Sequence, residues 1–134
     1  IGPDAESAQW IQAAAQAFHF DHGVCTKERH GDKDVEITLP KVDVRQRAVV
    51  LLDDVASSGR TLAGAARLLL QAGALSVDVA VTHALFAGDA LAVIKAAGVR
   101  HVWSTDCIAH ESNAIDMAPL LAQALLPLLK GGRP

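Results

Sequence analysis

The densest run of chemically capable residues is Asp53-Asp54-Val55-Ala56-Ser57-Ser58-Gly59-Arg60-Thr61. Two adjacent carboxylates open it. Ser57, Ser58 and Thr61 bring hydroxyls, and Gly59 permits a tight turn and close backbone approach to a ligand. A helix starting at its end would aim unsatisfied N–H groups and a positive dipole end back into the loop. That half suits a phosphate. The carboxylates suit sugar hydroxyls or a divalent metal. One loop therefore fits a phosphorylated sugar, phosphate at one end and diol at the other. A plain capped helix would also use Ser and Thr, but two acidic residues at a buried strand end would then cost stability without return.

The elements that must hold this loop are legible around it. Ala48–Leu52 is a continuous apolar run, expected as a strand buried on both faces. Thr61–Ala72 reads as a helix with Leu62, Ala66 and Leu69 on one face, ended by Gly73. Ser76–Ala84 reads as a Val-rich strand, Gly88–Ala97 as a helix closed by Gly98, Val99–Ser104 as a third strand, and Ala118–Leu129 as a last helix. Upstream, Asp4 can cap a helix running to about Ala17, with Ala8, Ile11, Ala15 and Phe18 on one face. His22–Thr26 reads as a short strand, Lys27–Lys33 as a mobile charged loop, and Asp34–Leu39 as an edge strand closed by Pro40. This alternation predicts an α/β fold with a mostly parallel sheet flanked by helices, in which ligands bind at the carboxyl ends of the strands.

The 134 residues fit a single domain, 1–134, without repeats or linkers. Only 4% are aromatic, so Ala, Val and Leu must carry the packing. A net charge of −3 gives no electrostatic reason to expect nucleic acid or an anionic membrane as partner. No apolar run approaches a membrane span. Cys25 and Cys107 lack the spacing of a disulfide framework or zinc site and read as small buried residues in a reducing compartment. Gly59 and Gly64 have P-loop spacing, but Ala65 and Ala66 stand where Lys and Ser or Thr are required. His83 reads as structural, and His19, His22, His30, His101 and His110 show no ligand spacing. Trp10 and Trp103 read as packing. Asp106 ends a strand near the same sheet edge. The opening Ile1-Gly2-Pro3-Asp4 looks like a strand end entering a turn, so the chain is expected to begin inside a longer protein.

Val49–Thr61 resembles the phosphoribosyl-pyrophosphate loop of type I phosphoribosyltransferases. Three further segments narrow the resemblance to the C-terminal half of ribose-phosphate pyrophosphokinases. Gly2-Pro3-Asp4 resembles the Gly-Pro-Asp opening that half. Lys27-Glu28-Arg29 resembles a Lys-x-Arg loop, and Thr82–Gly88 a Thr-His-Gly-Leu-Phe-x-Gly segment. The stretch after Lys-x-Arg looks closer to archaeal-type members. The resemblance implies a phosphoribosyltransferase-like fold and transfer of diphosphate from ATP to ribose 5-phosphate with Mg2+. It implies that Ser57, Ser58, Gly59, Arg60 and Thr61 hold the sugar phosphate and that Asp53 and Asp54 address the ribose hydroxyls. Asp4 would be a magnesium ligand. Lys27 and Arg29 would be the catalytic pair, closing over the triphosphate. A cytoplasmic homo-oligomer is the family default.

The sequence also departs from that pattern. Ser57 replaces an acidic residue, Arg60 a small one, and Ala5-Glu6 a Gly-Gly. The family's N-terminal half, which supplies most of the ATP pocket, is absent, so this chain should bind sugar phosphate better than ATP. Two alternatives share the central loop. One is a transferase that consumes phosphoribosyl pyrophosphate, for which no base-recognising hood segment is visible. The other is a non-catalytic regulatory relative, against which Lys27, Arg29 and the Asp53–Asp54 pair argue.

Overall fold

The structure, a computed structural model, describes the backbone of residues 1–30 and 34–131 and the side chains of residues 1–27 and 37–129. Its centre is a four-stranded parallel sheet of β3 (Ala48–Ala56), β4 (Ser76–Ala84), β5 (Val102–Thr105) and β6 (Asn113–Ile115), in that spatial order. Helices α2 (Arg60–Gln71) and α3 (Ala90–Ala96) pack against one face. Helix α1 (Ala8–Gln16), entered through a 3-10 turn at Ala5–Ser7, lies toward the other, where its Ile11 and Ala15 share a cavity with Val50 and Leu52. A separate antiparallel ribbon pairs β1 (Thr26–His30) with β2 (Asp34–Thr38). The chain ends in α4 (Ala118–Gly131).

Local chemistry explains the central unit. Val77, Val79 and Val81 place β-branched side chains in the middle of β4, where the strand is buried. Leu62, Ala63, Ala66 and Leu69 form the buried stripe of α2. Leu51, Leu62, Leu69 and Ile94 are fully enclosed, each stabilising the fold by roughly 1.5–3 kcal/mol. Helix α2 stops at a left-handed Gly73 (φ 94°). The Gly73 N–H donates to the Leu70 carbonyl at 3.0 Å, and the Ala74 N–H to Leu69 at 3.0 Å, the paired bonds that close a helix after a glycine.

Several elements differ from the sequence expectation. Strand β3 continues four residues beyond Leu52, because equally long β4 offers partners there: Val55 pairs with His83 and Ala56 with Ala84. Asp53 and Asp54 are therefore strand residues. Strand β3 is also not covered on both faces; Val49 and Leu51 are buried while Ala48 and Val50 are exposed. The strand expected at His22–Thr26 lies instead at Thr26–His30, and the expected loop from Lys27 becomes strand as far as His30 because each residue finds a partner in β2; residues 31–33 lie outside the described residues. The third strand spans Val102–Thr105 rather than Val99–Ser104, and β6, at three residues, is too short to show an alternating pattern in the sequence. Phe18 falls beyond the end of α1 and is 70% exposed, and Ala8 is exposed too. Cys25 is buried, as expected, but Cys107 is exposed. The last helix forms where expected, yet all its leucines from Leu120 to Leu129 are exposed. Among the described residues no helix is long and apolar enough to cross a membrane.

Candidate functional site

A cavity of about 380 Å³ opens at the carboxyl end of β3. Its wall includes Asp4, Glu6, Asp53, Asp54, Ser57, Ser58, Gly59 and Thr61. Seven of the expected site residues thus meet at one place, and Glu6 joins them.

Asp4 reaches this wall through an edge pairing that the sequence does not advertise. The Ile1 backbone nitrogen donates to the Val50 carbonyl at 2.8 Å, and the Leu52 N–H donates to the Ile1 carbonyl at 3.0 Å. Gly2 bridges in parallel to Val24 on the other side. Residues 1–2 therefore run alongside β3, and the chain delivers Asp4 next to the Asp53–Asp54 strand end. A side chain at Gly2 would overlap the Ser7 hydroxyl, which itself donates to the Asp4 carbonyl at 2.6 Å. The Asp4 carboxylate accepts the Glu6 N–H at 3.1 Å and so also caps the 3-10 turn. Capping and ligand contact are compatible, because a carboxylate has about four lone-pair sites.

Asp53 is half-buried and Asp54 exposed. Burial pushes the Asp53 carboxyl up to about 6, and the charges of Asp4 and Asp54 add to the effect against the Asp54 N–H bond that favours ionisation. The acidic wall is thus poised to gain from a cation.

The hydroxyl-rich half of the cavity is built on Gly59. With φ 69° it stands at the N-cap of α2 in a left-handed conformation, and no side chain caps the helix. A Cβ there would lie 2.9 Å from the Ala90 carbonyl oxygen and from Ile94 Cδ1. Only glycine combines this turn with this contact. An uncapped first turn leaves its N–H groups without acceptors inside the helix, which is the arrangement that binds anions.

Arg60 is exposed on the first turn of α2 and does not line the cavity. Neither does Lys27. Lys27 pairs directly with Ile37 across the ribbon, and opposed residues share a face. Ile37 packs down on α2 at Gly64, one turn past Thr61. Lys27 therefore stands on the α2-facing side of the ribbon. Arg29 pairs with Val35 in the ladder, and its side chain lies outside the described residues. Asp106 accepts the Met117 N–H at 3.0 Å and has no place on the cavity wall.

Two backbone donors position the loop from outside, and neither has a signature in the sequence. The Phe86 N–H donates to the Ala56 carbonyl at 2.9 Å, and the Ala87 N–H to the Ser57 carbonyl at 3.0 Å. The turn after β4 thereby holds the start of the Ser57–Gly59 loop from the side. The signal was the Thr82–Gly88 segment, whose position after a strand gave no hint of what its amides bond.

This combination defines a class: a parallel sheet with an acidic pair and a hydroxyl-rich, glycine-turned loop between strand and helix. The sequence profile of the phosphoribosyl transferase domain family matches residues 1–116, and the chain belongs to that family. It is similar to ribose-phosphate pyrophosphokinase 2 of Archaeoglobus fulgidus, 36% identical over 92% of this chain and 45% of that protein. The ribose-phosphate pyrophosphokinase of Methanosarcina acetivorans is 32% identical over 93% of this chain and 44% of its own length. The crystal structure of phosphoribosylpyrophosphate synthetase from Mycobacterium smegmatis superposes with a TM-score of 0.70 at 24% identity, over 98% of this chain and 44% of that one, and so shares the fold. The chain spans less than half the length of these relatives.

Proposed function

We propose that this chain is the ribose 5-phosphate-binding half of a ribose-phosphate diphosphokinase. The carrying observation is the convergence of Asp4, Asp53, Asp54, Ser57, Ser58, Gly59 and Thr61 on one cavity at the end of β3. The similarity to proteins named ribose-phosphate pyrophosphokinase supports the same reading.

In the reaction, the anomeric hydroxyl oxygen attacks the β-phosphorus of ATP. The bond between the α-phosphate and the diphosphoryl group breaks, AMP leaves, and the hydroxyl proton is lost. Little covalent work falls to the protein, so positioning and charge neutralisation dominate. Ser57, Ser58, Gly59 and Thr61 hold the 5-phosphate with the first amides of α2, while Arg60 adds positive charge beside them. Asp53 and Asp54 orient the ribose hydroxyls. Lys27 and Arg29 contact the triphosphate from the ribbon, whose Ile37 lies beside Gly64 of α2.

The donor set fits Mg2+. Among the described residues no cluster of three or more His, Cys, Asp or Glu side chains could hold a metal alone, and Mg2+ characteristically takes one or two carboxylates and completes its shell with substrate phosphates and water. Asp4 is the protein ligand in this reading. When bound there, the ion supplies positive charge against the phosphates. ATP binding is to be completed by protein beyond this chain, and the assembled enzyme is a cytoplasmic homo-oligomer.

Calorimetry with ribose 5-phosphate and Mg2+ tests the sugar site. Asp54→Ala should weaken binding about tenfold, the loss of one or two charge-assisted hydrogen bonds; unchanged affinity would remove the assignment. Phosphorus NMR on the full-length gene product, with ribose 5-phosphate, ATP and Mg2+, tests the reaction. AMP and phosphoribosyl pyrophosphate should appear together.

A further inference from the structure

We infer that His110, acting through the ring of Phe86, is a positioning residue for the phosphate loop; the inference rests on the reading of that loop as the sugar-phosphate site. The loop at Ser57–Gly59 takes two of its backbone anchors from outside, the N–H groups of Phe86 and Ala87. Their position depends on the turn that carries them, and that turn is strained. Phe86 has φ 35°, a left-handed backbone that a bulky residue adopts at a cost of roughly 1–2 kcal/mol. Such a conformation persists only where the surroundings over-determine it.

The surroundings here are specific. The Phe86 ring is buried, 8% exposed, and stands against the His110 ring with centroids 4.9 Å apart and a tilt of 48°, a favourable geometry for an aromatic pair. His110 is held in turn. The Ser112 N–H donates to His110 Nδ1 at 3.1 Å, and Ser112 Oγ lies 2.8 Å from the same nitrogen. An amide N–H can only donate, so Nδ1 is the unprotonated nitrogen and Nε2 carries the hydrogen. Ser112 Oγ also lies 2.8 Å from Ser104 Oγ at the end of β5. Asn113 closes the knot: its Oδ1 accepts the His110 N–H at 2.9 Å, and its amide nitrogen donates to Ser104 Oγ, Thr105 O and Ile108 O.

A continuous path thus runs from the end of β5 through Ser112, the His110 ring and the Phe86 ring to the carbonyls of Ala56 and Ser57. A network serving only to close its own loop would not need to seat an aromatic ring on the strained residue of the neighbouring turn. Removing the His110 ring leaves Phe86 free to relax toward negative φ, which moves its N–H off Ala56 and lets the phosphate loop drift.

The test uses the full chain. Amide NMR of His110→Ala should show the Ser57, Ser58 and Gly59 signals shifted or broadened, while signals in β4 and α2 beyond its first turn stay in place. Calorimetry should show ribose 5-phosphate affinity reduced about tenfold and inorganic phosphate affinity reduced in step. His110→Phe, which keeps a ring against Phe86, should recover most of that affinity, whereas a purely structural role would leave it no better than His110→Ala. Phe86→Leu nearly keeps the buried volume and removes the ring pair; it should reproduce the loop shifts even if His110→Ala folds poorly. Unmoved Ser57–Gly59 amides in folded His110→Ala or Phe86→Leu overturn the inference, as does failure of His110→Phe to restore binding. If the unsubstituted chain binds no ribose 5-phosphate, the sugar-site reading falls, and the amide shifts still decide the coupling.

Discussion

Asp4 and Asp53 line the same cavity from opposite ends of the first half of the chain, and the charge of Asp4 adds to the burial that lifts the Asp53 carboxyl to about 6. They meet because Ile1 hydrogen-bonds both Val50 and Leu52. The unliganded site thus carries electrostatic strain, a common trade of stability for function.

This strain has a pH signature. The folded chain holds the Asp53 proton more tightly than the unfolded chain, in which the group ionises near 3.8. Between those values the native state binds more protons, so the contribution of Asp53 to stability falls as pH rises from about 4 to about 6. Asp53→Asn should raise the melting temperature of the unliganded chain at pH 7.5 and leave it nearly unchanged at pH 4, while weakening ribose 5-phosphate binding. Thermal unfolding of both proteins across this range checks the sign; a variant less stable at pH 7.5 contradicts it.

Gly59→Ala should cost about 2 kcal/mol, since a left-handed backbone costs roughly 1–2 kcal/mol for an L-residue and the new methyl would press on the Ala90 carbonyl. Urea titration measures the loss. Phosphate binding should fall further than stability, because the loop must move to admit the methyl.

Lys27→Ala should leave ribose 5-phosphate affinity intact, since Lys27 stands on the ribbon and off the cavity wall. In the full-length enzyme the same change should lower turnover by orders of magnitude, as expected for lost charge stabilisation of a transferring phosphoryl group. Near-normal kcat would remove Lys27 from the mechanism.

Asp78 sits at the other end of β4, buried, and accepts hydrogen bonds from Arg100 Nε at 3.1 Å, Arg100 Nη2 at 2.8 Å and the His101 N–H at 3.1 Å. Burial alone would raise its carboxyl, but the bonds from Arg100 and His101 prevail and hold it below the usual range. Asp78→Ala should cost about 2 kcal/mol with no change in ribose 5-phosphate affinity. A change in affinity would mean that the two ends of the sheet are coupled.

The sequence by itself determined the central β3–α2–β4 unit and its glycine-turned Ser57–Thr61 loop. Apolar periodicity, Gly59 and Gly73 act within a dozen residues, so Leu62, Ala66, Leu69 and the Val-rich β4 could be placed without knowledge of any partner. Tertiary structure decided what depends on pairing across the chain. The length of β3 follows from the length of β4, which turned Asp53 and Asp54 from loop into strand. Lys27 became a strand residue because β2 lies opposite, a pairing that charged side chains conceal. Asp4 reached the acidic wall through backbone bonds of Ile1, and the loop is held by the amides of Phe86 and Ala87. Backbone hydrogen bonds carry no side-chain signature, so their partners become visible only once the chain has folded.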